Sequence, residues 1–183
     1  MLHVQYTGRG SADDRNGWVQ GGGGLSPARA IALGGLTVGT LDGLDAIIFV
    51  GLVRGRPIGG IFQGIASGLI GPSAMDGGWA TIALGVLIHF SIATTIVAVF
   101  CLASRWLPAL GRRPVLFGIL YGVAAYLVMS RVVIPLTFGS SALPPLPVLL
   151  NGVLIHMFGV GLPSALFARA ITWSGRSEEA GQR

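Results

Sequence analysis

Four separate apolar runs, near residues 30–52, 80–103, 115–134 and 148–170, dominate this sequence. Each can cross a hydrocarbon core roughly 30 Å thick as a helix of about 20 residues. Inside such a core every backbone N–H and C=O must find a partner within the protein, and for well-separated runs of this length the helix satisfies that demand. The pattern predicts an all-α membrane protein built as a four-transmembrane-helix bundle. Composition agrees, with 52% hydrophobic and 10% charged residues and a mean hydropathy of +0.74. Soluble domains carry about 25% charged residues, and disordered chains need low hydrophobicity with high charge, so both classes are excluded.

Residues 1–27 are polar and glycine-rich, with Asp13, Asp14, Arg15 and the run Gly21 to Gly24. They lack an apolar stretch followed by a small-residue cleavage site, so a flexible cytoplasmic tail is expected rather than a signal peptide. The membrane domain is expected over 28–173, with a second cytoplasmic tail over 174–183. Trp79, Trp106 and Trp173 stand at the ends of runs, where amphipathic rings favour the headgroup level. Every basic residue is an arginine, and the formal charge is +5. Arg9, Arg15, Arg29, Arg105, Arg112, Arg113, Arg169, Arg176 and Arg183 fall on one side of the predicted topology, against Arg54, Arg56 and Arg131 on or near the other. Because cytoplasmic flanks hold the arginine excess, both termini are expected inside the cell inner (plasma) membrane. A basic excess spread this thinly suits anionic lipid headgroups, and no nucleic-acid partner is expected. Cys101 is the only cysteine, which excludes an intramolecular disulfide and a thiolate metal cluster.

Between the first two runs, Pro57 precedes Ile58, Ile61, Phe62, Ile65 and Leu69 at helical spacing. A short amphipathic helix over about 57–70 is predicted, lying in the outer interface. Re-entry is the rival placement, because Gly60, Gly64 and Gly68 form a stripe that could pack against the bundle.

The string Gly-Val-Leu-Ile-His occurs at 85–89 and again at 152–156, and the same offset pairs Trp106 with Trp173. The first and third runs match more weakly, through Gly35 to Gly39 and Gly118 to Gly122. Two parallel helical-hairpin repeats related by an axis along the membrane normal would account for this. Further segments include Leu41-Asp42-Gly43 with Asp45-Ala46, Gln63 to Gly68, Leu84-Gly85 leading to His89-Phe90, Tyr121-Gly122 with Tyr126, and Asn151-Gly152 through His156-Met157 to Gly161-Leu162-Pro163. In these the chain, over about residues 30–170, resembles small bacterial four-span membrane proteins known only as conserved hypotheticals. The resemblance implies the four-span topology and no activity.

Gly35, Gly39 and Gly43 recur every four residues on the first run and would let a neighbouring backbone come close. Such stripes also suit self-association into a homo-oligomer. Asp42 falls at the edge of this stripe and should face the bundle, since exposure to lipid costs roughly 2.5–3.5 kcal/mol. At about 1.5 Å per residue, Asp42 lies roughly 15 Å from the outer end of its helix, and His89 and His156 lie roughly 14 and 12 Å below theirs. Three ionisable side chains from three helices thus share one level. Asp45 sits one turn nearer the outer surface, where Arg131 is its candidate ion-pair partner.

Imidazole with carboxylate suits a proton, a metal ion or a small polar solute, so Asp42, Asp45, His89 and His156 are the candidate site. Two histidines on separate helices could alternatively be axial ligands of one haem, and a non-catalytic scaffold is the third reading. Asn151 points to another face and is expected to tie helices together, Tyr121 and Tyr126 are candidate hydroxyl groups, and Pro163 should kink its helix near Gly159 and Gly161. No Walker loop, dinucleotide fingerprint, His-Glu-x-x-His or Gly-x-Ser-x-Gly signature occurs, which leaves familiar enzyme chemistries without an anchor.

Overall fold

The computed structural model describes residues 24–139 and 142–171. Most of the expected amino-terminal tail, the carboxyl-terminal tail, His3 and Trp173 lie outside the described residues. The described residues are predominantly helical, and the extended pairing among them is a single parallel bridge between Leu25 and Ile171.

Four helices are long and apolar enough to cross a membrane: Pro27–Val53, Gly78–Trp106, Pro114–Phe138 and Leu146–Arg169, here the first to the fourth. Each overlaps one of the apolar runs and extends a few residues beyond it. Start signals account for part of the extension. Ser26 accepts a hydrogen bond from the Arg29 N–H at 3.4 Å, and Pro27 and Pro114 occupy first-turn positions where a missing N–H costs nothing.

The third helix continues past Arg131 because a π-helical turn, Met129–Val133, precedes Pro135. The fourth has the same device, with the π turn His156–Gly161 ahead of Pro163. A proline inside a helix removes one N–H and crowds the preceding turn, and a wider turn just before it relieves the crowding. The distortion expected near Gly159 and Gly161 thus takes the form of a π turn. A third π turn, Ala46–Val53, ends the first helix directly after Asp45.

The first helix packs along the second and the third along the fourth, while the fourth also lies against the first and second. Glycines set the distances. A Cβ on Gly39 would come within 2.5 Å of the Phe90 ring, one on Gly35 within 2.8 Å of the Thr94 Cα, and one on Gly43 within 3.3 Å of His89 Nε2. Gly118 and Gly122 of the third helix meet the backbone of the fourth at Gly161 and at His156–Met157.

The first and last described residues lie together, where the Leu25 N–H donates to the Ala170 carbonyl at 2.8 Å. The half nearest those residues is filled by Ala30, Val38, Val97, Phe100, Val160 and Ala165, all buried. Outward positions stay apolar, as Leu36 (58% exposed) and Leu87 (65%) illustrate.

The short helix is Ile58–Ile70. It crosses the second helix between Thr81 and His89: the Gln63 amide donates to the Thr81 hydroxyl at 3.4 Å, a Cβ on Gly85 would overlap the Phe62 carbonyl, and the Phe62 ring stands 6.2 Å from that of His89. Its packing face is therefore Gly59, Phe62, Gln63 and buried Ala66, and not the stripe of Gly60, Gly64 and Gly68 on which the rival re-entrant placement relied. Of that stripe only Gly68 meets another long helix, at Thr137 and Phe138 of the third, and a Cβ on Gly64 would face open space.

Candidate functional site

In the half away from Leu25 and Ala170, the four long helices and the short helix enclose a cavity of about 700 Å³. Asp42 reaches it from the first helix, His89 from the second, Tyr126 and Ser130 from the third, and His156 from the fourth. The remaining wall is largely aliphatic, including Ile65, Ile92 and Ile96. The exposed residues of the wall, Gly68, Leu69, Ile134, Thr137 and Phe138, cluster where the short helix meets the end of the third. That gap is the mouth.

His89 Nε2 lies 2.8 Å from the Gly39 carbonyl oxygen. A carbonyl only accepts, so Nε2 carries the proton and donates it across to the first helix. The other ring nitrogen, Nδ1, then faces the Asp42 carboxyl at 4.0 Å. This separation is too long for a direct hydrogen bond. In the neutral imidazole Nδ1 therefore offers a lone pair on the side of Asp42. The Phe62 and Phe90 rings stand edge-on to the imidazole and fix its plane.

His156 is held differently. Its Nδ1 donates to the Gly152 carbonyl at 2.9 Å, one turn back on its own helix, and Tyr126 packs edge-on against the ring at 5.4 Å between centroids. In the neutral ring its Nε2 therefore carries a lone pair. Gly152 is required here, because a Cβ would come within 2.6 Å of the Tyr126 ring.

Asp45 accepts a hydrogen bond from the Asn151 amide at 2.7 Å, which ties the first helix to the fourth. It lies within electrostatic reach of Asp42 and His156 but is not part of the cavity wall. Asn151 thus has the helix-tying role its position suggested. Arg131, the expected partner of Asp45, is an exposed residue of the π turn Met129–Val133. Tyr121 does not join the cavity: its hydroxyl donates to the Ile96 carbonyl at 2.7 Å and its ring packs on Phe100, joining the third helix to the second.

Ser130 escaped the sequence reading. Its Oγ is buried against the cavity and has no hydrogen-bond partner. Serines in helices commonly donate to the carbonyl one turn back, as Ser164 does to Val160 at 2.7 Å. The only signal in the sequence is a serine placed five residues before Pro135, where the π turn forms.

Among the described residues, no three His, Cys, Asp or Glu side chains converge closely enough to hold a metal ion. Nε2 of His89 and Nδ1 of His156 are committed to backbone carbonyls, and Nδ1 of His89 is turned to Asp42. Comparison with protein-family models, with curated proteins and with solved structures finds no match to this chain.

Proposed function

We propose that this chain is a multi-pass inner-membrane protein, with both termini cytoplasmic, that takes a small solute into its central cavity and couples it to a proton on Asp42 and His89. The observation that carries the reading is the cavity with Asp42 and His89 facing each other across 4.0 Å and His156 in the same wall. An open pocket of about 700 Å³ is within the size range of small-molecule sites. Ionisable groups in such a setting are costly and are by default functional.

Membrane insertion is supported by the long apolar helices and by the two tryptophans of the second one. Trp79 (84% exposed) and Trp106 (77%) are separated by roughly 40 Å of helix rise, the thickness of a bilayer with its headgroup regions. Orientation rests on the arginine excess, and the adjacency of Leu25 and Ala170 agrees with both ends lying on one side. The matched glycine contacts, Gly35 to Gly43 against the second helix and Gly118 and Gly122 against the fourth, support two hairpin repeats. Resemblance to small four-span bacterial proteins adds topology only. The short helix, seated across the second and ending at the mouth, acts as a roof past which the solute enters.

The test is proton flux in proteoliposomes carrying a pH-sensitive dye. Flux above that of empty liposomes, lost in Asp42→Asn, is expected. Flux that is absent, or that Asp42→Asn leaves unchanged, would remove the proton-coupled role.

A further inference from the structure

The chemistry of the cavity wall narrows the solute class, an inference that rests on the solute-binding reading above. The polar groups of the wall are unbalanced. Asp42 contributes a carboxylate, and His89 and His156, with one ring nitrogen each committed to a carbonyl, present lone pairs on the other. Ser130 Oγ is buried without a partner, and with Tyr126 it supplies hydroxyl groups that accept as well as donate. No arginine or lysine belongs to the wall among the described residues. A complementary molecule should therefore donate hydrogen bonds and carry positive charge or none, while an anion would meet the Asp42 carboxylate and two ring lone pairs, with only neutral hydroxyl groups to offset them. The rest of the wall is aliphatic and aromatic, with Tyr126 near the polar level and Phe138 at the mouth, and such faces accept a cation or an apolar body. The volume lies within the range of small-molecule sites.

We propose that the solute is a lipophilic organic ammonium ion: its charged N–H group lies against Asp42, within reach of the lone pairs of His89 and His156 and of Ser130 Oγ, and its hydrocarbon or aryl body fills the aliphatic part of the cavity. Asp42 supplies the charge selection, because in a partly desolvated site one ion pair at contact distance outweighs the other polar contacts. Ser130 adds a hydrogen bond that an apolar ligand leaves unmade.

The experiment titrates the purified full-length protein in detergent with three ligands of one body and different charge: phenylbutylammonium, phenylbutanol and phenylbutanoate, each corrected for partition into detergent alone. Binding of the ammonium at least about ten-fold tighter than the alcohol is expected, with the carboxylate weakest. In Asp42→Asn the ammonium should bind no more tightly than the alcohol does to the same variant, and Asp42→Glu should keep the preference. Equal binding of ammonium and alcohol to the unsubstituted protein, preference for the carboxylate, or an ammonium preference that survives Asp42→Asn overturns the proposal. Should Asp42→Asn fail to fold, the three ligands on the unsubstituted protein still decide the charge class. Alcohol binding without charge preference removes the ammonium class and leaves the cavity reading standing, whereas no binding by any of the three removes both.

Discussion

The imidazole of His89 donates from Nε2 to the carbonyl oxygen of Gly39 at 2.8 Å, a bond that crosses from the second long helix to the first. Because Gly39 lacks a side chain, the Phe90 ring also fits against it, and the two consecutive side chains His89 and Phe90 occupy the groove between Gly39 and Gly43. The glycine stripe and the candidate site are thus one construction: the stripe admits the imidazole, and the bond to Gly39 turns Nδ1 towards Asp42.

Replacing Gly39 should separate these helices. A Leu there would collide with the Phe90 ring, already 2.5 Å from the position of a Cβ. Gly39→Leu is expected to destabilise the folded protein by about 1–3 kcal/mol, read as a lowered Tm in detergent. Phe90→Ala in the same chain should recover part of the loss. A Tm unchanged by Gly39→Leu would mean that the first two helices do not pack in this register.

Asp45 and Asn151 should behave as a coupled pair. Their 2.7 Å hydrogen bond joins helices far apart in sequence, and such bonds between membrane helices contribute about 0.6 kcal/mol on average, and up to about 1.7, in double-mutant cycles. A cycle of Asp45→Ala, Asn151→Ala and the double variant, followed by unfolding, should return a coupling in that range. Additive effects would remove the contact.

Sidedness is tested by reporter fusions. Gly71 follows the short helix and Gly111 lies in the connection between the second and third long helices. Arginine placement predicts an external reporter at Gly71 and at Ser141, and a cytoplasmic one at Gly111 and at the carboxyl end. A cytoplasmic signal at Ser141 would overturn the four-span orientation.

The long helices were legible because their signal is local: apolar length, tryptophan and first-turn proline each act within one segment. That Asp42, His89 and His156 line one cavity agrees with their similar distances from their helix ends, which rise per residue gives without knowledge of neighbours. Relations that depend on the register between helices were not legible. Nothing in the sequence aligns His89 with the Gly39 carbonyl, or Asn151 with the Asp45 carboxylate. Ser130 was missed because its lack of a partner arises from a π turn, which a periodicity of 3.6 residues does not represent. The packing face of the short helix was not legible for another reason. Small residues mark close approach only where a neighbour stands, and Gly64 has none.

The central claim is that the cavity is a solute site entered between the short helix and the third long helix. Gly68 and Thr137 face each other at this mouth, with the position of a Cβ on Gly68 2.7 Å from the Thr137 Cγ2, so Gly68→Cys with Thr137→Cys should form a disulfide across it. The measurement is the binding rate of the neutral fluorescent probe N-phenylnaphthylamine to the double variant, oxidised and then reduced. The oxidised protein should bind at least about ten-fold more slowly, in the sense that locking a lid gates access, and reductant should restore the rate of the unsubstituted chain. Equal rates in the two states, or no binding in either, would contradict the claim.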